Sequence, residues 1–172
     1  ELSETESSPE ELYTKMERVL EIMKDSRLGT FGGTALFFVL ALKAAALCTL
    51  AASFDGSWSG LLTLAGACCM AGALARSMVF PAMHVPSARP GGLGAALHNG
   101  VTKRHDMLAL GIGLGICALN GGRGFTALIA ALLVAWLLLS AARKRLGGVT
   151  GDVFGCLIEL TESAVLVACC LR

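Results

Sequence analysis

The chain has 172 residues, of which 55% are hydrophobic and only 16% are charged, against roughly 25% charged residues in typical soluble domains. The formal net charge of +1 gives no reason to expect nucleic acid as a partner. Because this excess of apolar residues is too large for one soluble core, the composition predicts an all-α, polytopic helical membrane protein inserted in a lipid bilayer.

The N-terminal region divides into a polar tail and an amphipathic helix. Residues 1–8 are acidic and polar and predict a disordered linker, whereas residues 9–172 predict a single membrane domain. After Pro9, apolar residues recur at spacings of three and four, which is typical of a helix with one apolar stripe. Since a membrane span follows, we expect this helix to lie at the membrane interface. The stripe consists of Leu12, Met16, Val19, Leu20 and Met23.

About five membrane-spanning helices follow the interfacial helix. The apolar stretches lie at 31–54, 58–75, 107–120, 125–142 and 153–171. The third stretch is shorter than the roughly 20 residues that cross a bilayer as a helix, so it spans only if flanking residues join it. The segment 76–106 is rich in glycine and proline and predicts a long loop.

The positions of the basic residues predict the orientation of the spans. If the N-terminal helix is cytoplasmic, the inner segments contain eleven of the fourteen Lys and Arg residues, as the positive-inside rule requires. These are Lys15, Arg18, Lys24, Arg27, Arg76, Arg89, Lys103, Arg104, Arg143, Lys144 and Arg145. The pattern predicts that residues 24–33, 76–106 and 143–152 share the cytoplasmic face of the cell inner membrane.

Three carboxylates accompany the last span. Asp152, Glu159 and Glu162 are separated by seven and three residues, so a helix presents them on one side. A charged side chain at mid-bilayer costs roughly 2.5–3.5 kcal/mol on insertion scales, so these groups must be paired, hydrated or bound to cations. One interpretation is a structural pair, for example with Lys43. The interpretation we favour is the wall of a site that faces a polar cavity.

Two glycine-rich segments flank spans on the predicted cytoplasmic face. In GGVTGD, the glycines Gly147, Gly148 and Gly151 allow backbone amides to converge on an anion at a helix N-terminus, and Asp152 would hold a divalent cation against phosphate. In KDSRLGTFGG, Asp25 would bind metal or act as a base, and Arg27 would clamp phosphate. Each segment alone is also consistent with an ordinary turn, but two on one face favour a polyphosphate site.

Three stretches resemble the cobalamin synthase family of adenosylcobinamide-GDP ribazoletransferases. LEIMKDSRLGTFGG at 20–33 and GGVTGDVFGCLIELTE at 147–162 resemble two long family signatures, and ARPGGLG at 88–94 resembles a basic, glycine-containing loop. Arg76 and Lys43 also lie where the family tends to have them. The resemblance runs in order from about residue 18 to the end of the chain.

The resemblance implies an integral membrane enzyme that depends on Mg²⁺. It implies transfer of the adenosylcobinamide phosphate from adenosylcobinamide-GDP to α-ribazole or its 5′-phosphate, with release of GMP and formation of adenosylcobalamin or its 5′-phosphate. With the residue-level interpretation, it gives a set of candidate site residues. Catalytic roles are expected for Asp25, Asp152, Glu159 and Glu162, metal binding for Asp25 and Asp152, and substrate binding for Arg27, Gly29, Arg76, Arg89, Lys144, Gly147, Gly148, Thr150 and Gly151.

The chain departs from the family pattern at its start. The family also has an upstream motif of the form D-G-x-A-D-x-x-D-G preceded by hydrophobic segments, and neither is present here. We therefore expect this chain to be the C-terminal part of a larger enzyme, which needs the missing N-terminal segment in cis or as a second chain. A homo-oligomer is left open. The alternative functions are a CDP-alcohol phosphotransferase-like membrane enzyme and a non-enzymatic membrane transporter or scaffold.

Overall fold

The computed structural model of the chain describes residues 9–23, 29–89, 96 and 102–171. Across these residues it is helical, without strands. The predicted linker at 1–8 lies outside the described residues, as do Asp25 and Arg27. The helices are α1 (Pro9–Ile22), α2 (Thr30–Ala52), α3 (Trp58–Ala82), α4 (Lys103–Leu119), α5 (Gly121–Leu146) and α6 (Gly151–Cys170).

Four of these helices, namely α2, α3, α5 and α6, are long and apolar enough to cross a membrane. The fourth helix, α4, has 17 residues. At 1.5 Å per residue it is about 26 Å long, slightly less than the roughly 30 Å hydrocarbon core. Because α4 packs against both α3 and α5 and joins them in sequence, it returns the chain to the end where α3 begins. The predicted all-helical, polytopic membrane fold is confirmed.

The prediction that the long loop begins at Arg76 and runs to Asp106 is wrong at both ends. Helix α3 continues to Ala82 and α4 already begins at Lys103. The sequence suggested an earlier end for α3 because Arg76 interrupts an apolar run. In the structure the guanidinium of Arg76 pairs with the carboxylate of Glu162 on α6. This ion pair neutralises the charge, so α3 can continue past Arg76.

Helix α6 is the centre of the bundle. It packs against α5, α3 and α2. Its buried side has Leu157, Thr161 and Val165, each fully or almost fully buried. Several buried positions on α3 and α5 are small, which lets helix backbones approach closely inside a membrane. These small residues are Ala67, Ala71 and Ala75 of α3, and Ala127, Ala131 and Ala135 of α5.

The predicted amphipathic helix is confirmed as α1, and it packs against α5, with Met16 close to Gly147 at the end of α5. Two residues of its apolar stripe, Leu20 and Met23, pack against the core. The guanidinium Nη2 of Arg89 donates a 2.7 Å hydrogen bond to the carbonyl oxygen of Leu20, one of the carbonyls left free in the last turn of a helix. These contacts fasten α1 to the segment that follows α3.

Candidate active site

The GGVTGD segment forms a tight, well-packed turn between α5 and α6. Gly147 ends α5 in the left-handed conformation, with φ of 73°, and its amide donates to the carbonyl oxygen of Arg143 at 3.1 Å. A side chain at Gly147 would be strained by this φ and would collide with the methyl group of Met16 on α1. Gly147 is therefore required by the fold at this position.

Gly148 is required by a contact with the segment that follows α3. Ser87 and Val149 form a parallel backbone bridge, in which the Val149 amide donates to the Pro86 carbonyl at 2.9 Å and the Ala88 amide donates to the Val149 carbonyl at 2.9 Å. A Cβ atom at Gly148 would overlap the carbonyl oxygen of Pro86. The amides of Gly147 and Val149 are thus already hydrogen-bonded and are not free to bind an anion.

The first turn of α6 has free amides beside an exposed carboxylate. Thr150 is the buried N-cap residue, and its hydroxyl accepts a hydrogen bond from the Val153 amide at 3.4 Å. The amides of Gly151 and Asp152 precede the first helical hydrogen bond and have no partner among the described residues. The Asp152 side chain is exposed, and no hydrogen bond or ion pair joins it to the described part of the chain.

Basic residues end the neighbouring helix at the same end of the bundle. Arg143, Lys144 and Arg145 occupy the last turn of α5 and are exposed. They precede Asp152 by seven to nine residues in the sequence, and the role of Lys144 in substrate binding stays a prediction. Free helix N-terminal amides, an exposed carboxylate and a basic cluster together form a surface that can accept phosphate oxygens and a cation.

A network of four charged side chains lies deeper, where α2, α3 and α6 meet. The Nζ atom of Lys43 donates to Glu159 Oε2 at 2.6 Å and to Glu162 Oε2 at 2.8 Å. The Nη1 atom of Arg76 donates to Glu162 Oε1. Two cations and two carboxylates therefore neutralise one another. At 1.5 Å per residue, Glu159 and Glu162 lie about 10 Å and 15 Å along α6 from Asp152.

The network bears on the two interpretations of the glutamates. The pairing with Lys43 that the sequence left open is present. The network is unevenly buried, however, because the side chains of Lys43 and Glu162 are 19% and 18% exposed, whereas those of Glu159 and Arg76 are 51% and 58% exposed. The pairing stabilises the charges, and half of the network still faces outwards from the bundle. Catalytic roles for Glu159 and Glu162 stay a prediction.

Two further candidate residues, Gly29 and Arg89, have no hydrogen bond or ion pair to this network. Gly29 is the exposed N-cap residue of α2, in an extended conformation. Arg89 is half-buried beside the bridge; its Nη2 is bound to α1, and its Nε is buried with no partner in the described part of the chain. Asp25 and Arg27, the other expected metal and phosphate residues, lie outside the described residues.

Sequence reasoning did not single out the pair formed by His84 and Asp106. His84 follows α3 and Asp106 lies in the first turn of α4, and their side chains meet at 2.5 Å between Nε2 and Oδ2. The second carboxylate oxygen, Oδ1, is buried without a partner among the described residues. The two residues are 22 positions apart, so no local spacing signals the contact. The pair ties the end of α3 to the start of α4.

Comparison with known proteins places this arrangement in a family. The family model described as cobalamin-5-phosphate synthase matches residues 12–170. Proteins named adenosylcobinamide-GDP ribazoletransferase are similar to the chain over 90% of its length, with 43% identity in Pseudomonas paraeruginosa and 40% in Pseudomonas entomophila. The protein of that name in Escherichia coli K12 is 36% identical over 88% of the chain.

The matched region is a larger share of this chain's length than of its relatives' length. The matched region covers 60% of the Pseudomonas paraeruginosa and Escherichia coli relatives and 61% of the Pseudomonas entomophila relative. No solved structure matches the chain. The family model begins within α1, at Leu12, and ends at Cys170, the last residue of α6, so it covers α2 to α6 in full and most of α1. The chain belongs to the cobalamin-5-phosphate synthase family.

Proposed function

We propose that this chain carries one part of the active site of an adenosylcobinamide-GDP ribazoletransferase. The observation that carries the proposal is the 43% identity, over 90% of the chain, to a relative of that name. In the reaction, a ribose hydroxyl of α-ribazole or its 5′-phosphate attacks the phosphorus that bears the cobinamide. An O–P bond forms, the anhydride bond to the GMP phosphate breaks, and the hydroxyl loses its proton.

The first turn of α6 suits the diphosphate of the donor. Its free amides and the basic residues of α5 would bind phosphate oxygens, and this positioning is the main requirement in phosphoryl transfer. Arg27 and Lys144 would contribute charge to the same group. Gly29, two residues after Arg27 in the sequence, is the exposed N-cap of α2 and would let the donor approach the backbone closely.

Carboxylates of this chain would hold a magnesium ion. Asp152 is exposed and has no partner in the described part of the chain, and its oxygens are of the type that Mg²⁺ prefers. Asp25 would be the second ligand from this chain. When bound, the ion neutralises charge on the transferring phosphoryl group. Two carboxylates are few for a near-octahedral ion, so we propose that further polypeptide, in cis or as a second chain, completes the ligand set.

The orientation of the site follows from the charge pattern. We place α1, the α5–α6 turn and the segment after α3 on the cytoplasmic side of the inner membrane, because the basic residues concentrate there. Both substrates are large and polar, so a site at the inner surface gives them access without crossing the bilayer. Cysteine labelling at position 99 tests this orientation: labelling from the outer face of intact cells would contradict it.

A transfer assay tests the proposed reaction. The chain is fused to, or co-expressed with, the segment of the Pseudomonas paraeruginosa relative that has no counterpart in it. The protein is then supplied with Mg²⁺, adenosylcobinamide-GDP and α-ribazole. We expect release of GMP and formation of adenosylcobalamin, and no turnover by residues 1–172 alone. Turnover of a CDP-alcohol instead would reassign the substrate class. Robust ribazole transfer by residues 1–172 alone would overturn the proposal that further carboxylates are needed.

A further inference from the structure

The exposed residues of α6 differ in kind from those of the other membrane-spanning helices. Within the described residues, exposed large hydrophobic side chains occur on α2, α3, α4 and α5, but none lies between Gly151 and Cys170. The exposed positions of α6 form a stripe at spacings of three, one and three residues. They are Asp152, Gly155, Cys156 and Glu159. A face of this composition does not suit contact with lipid chains.

Helix α3 continues this surface. Its exposed large hydrophobic residues are confined to its outer end, at Trp58, Leu61 and Leu62. Further along the helix, Cys69 and Arg76 are exposed and are seven residues apart, so they lie on one side of α3. Arg76 reaches Glu162, which connects that side of α3 to α6. We call the exposed stripe of α6 together with Cys69, Gly72 and Arg76 of α3 the charged face.

The charges on this face are incompletely satisfied. Glu159 is half exposed and uses only Oε2 in its ion pair, and Asp152 has no partner in the described part of the chain. Arg76 is 58% exposed and directs only Nη1 to Glu162 and to the carbonyl of Gly72, which leaves its other donors outside these bonds. A charge left facing lipid near mid-bilayer costs roughly 2.5–3.5 kcal/mol on insertion scales, so this face requires a polar covering.

The small residues of the charged face fit a polypeptide covering. Gly155 has no atom within 4 Å of the position where a Cβ would stand, and Cys69 and Cys156 are exposed. Glycine and other small residues let a second transmembrane helix approach closely. The chain spans 60% of the length of its Pseudomonas paraeruginosa relative, so family members have further polypeptide that could provide such a helix.

We propose that the charged face is the docking surface for transmembrane polypeptide that family members have beyond the region matched here. The docked helix presents a hydrogen-bond acceptor to Arg76 and a donor to Glu159. This inference rests on the further polypeptide invoked in the proposed function, and it specifies where that polypeptide binds. It also explains how α6 stays in a membrane with exposed carboxylates along its length.

Photocross-linking tests the docking surface without relying on catalysis. The chain is co-expressed in a bacterial membrane with the segment of the Pseudomonas paraeruginosa relative that has no counterpart here. Benzoylphenylalanine is placed at Gly155 on the charged face or, as the control, at Leu133 on the exposed side of α5. We expect cross-links from position 155 to peptides of the added segment, and lipid adducts from position 133.

The outcomes separate this inference from the proposed reaction, because the product is identified by mass and not by turnover. Lipid adducts at position 155, peptides from a second copy of residues 1–172, or no cross-link to the added segment would each overturn the docking surface. If the Gly155 variant does not fold, a benzophenone maleimide on Cys156, in a background without other cysteines, repeats the test. Cross-linking without ribazole transfer would support the docking surface and count against the proposed substrates.

Discussion

Helices α5 and α6 are adjacent, both are long and apolar enough to span a membrane, and they expose opposite kinds of surface. Helix α5 exposes large apolar side chains such as Leu133, Trp136 and Leu137. Helix α6 exposes two carboxylates, a glycine and a cysteine. Mean hydropathy alone does not distinguish the two helices, because both are apolar enough to cross a membrane. The two helices differ in the kind of side chain that they expose, which is apolar on α5 and partly charged on α6.

The largest expected effect concerns the paired charges beneath the exposed face of α6. Glu162→Ala leaves Lys43 paired only with Glu159 and removes the carboxylate partner of Arg76. We therefore expect a loss of about 3 to 4 kcal/mol in the free energy of unfolding. Glu159→Ala should cost about 1 kcal/mol or less because that carboxylate is half exposed. Unfolding of the purified protein by SDS in mixed micelles measures both. Equal losses would show that the two glutamates are equally coupled to the network.

A lysine placed on the exposed side of each helix tests whether the two sides have different surroundings. Leu133→Lys puts a cation on the apolar side of α5 and should cost about 2.5 to 3.5 kcal/mol. Cys156→Lys puts it on α6, four residues after Asp152 and three before Glu159, where the carboxylates favour it. We expect Cys156→Lys to change the free energy of unfolding by less than about 1 kcal/mol. A loss as large as that of Leu133→Lys would mean that α6 faces lipid.

In the turn between the two helices, we expect a larger side chain at Gly148 to be destabilising for steric reasons. Gly148→Ala would press a methyl group against the Pro86 carbonyl, so overpacking should cost about 1 to 3 kcal/mol of stability. Gly155→Ala is the matched control in α6, where nothing lies within 4 Å. There, helix propensity should raise stability by about 0.5 to 1 kcal/mol. Thermal unfolding of both variants in detergent provides the test, and a neutral Gly148→Ala would argue against the Ser87–Val149 bridge.

The smallest expected change is in the activation free energy of the proposed reaction. Asp152→Asn removes an exposed carboxylate without a described partner, so the protein should stay folded. In the transfer assay of the proposed reaction, activity should fall at least about tenfold, equivalent to about 1.4 kcal/mol of barrier. The control Asp55→Asn changes an exposed carboxylate in the turn between α2 and α3, at the opposite end of the bundle, and should keep full activity. Wild-type turnover of Asp152→Asn at limiting Mg²⁺ would remove Asp152 from the metal site.

The sequence predicted local features of the site and missed those that depend on distant residues. The spacing of Asp152, Glu159 and Glu162 predicted a shared side of α6. Asp152 and Glu159 are exposed there, whereas Glu162 is only 18% exposed and pairs with Lys43 and Arg76. The role of Gly148 depends on Pro86, 62 positions earlier, and no pattern in GGVTGD signals that contact. Arg76 looked like the end of a span because its partner, Glu162, lies on another helix. Hydropathy and spacing therefore predict helices and faces, whereas pairing between helices requires the fold.

The most direct test of the contrast compares the surroundings of two spin labels. One label is attached to Cys156, exposed on α6, and the other to Leu137→Cys, exposed on α5, each in a background without other cysteines. The complete protein in lipid bilayers is then examined by electron paramagnetic resonance with oxygen and a polar nickel chelate as relaxing agents. We expect high oxygen accessibility at position 137 and low oxygen accessibility at position 156, where polypeptide or water replaces lipid. Equally high oxygen accessibility at both positions would show that α6 faces lipid and would contradict the account.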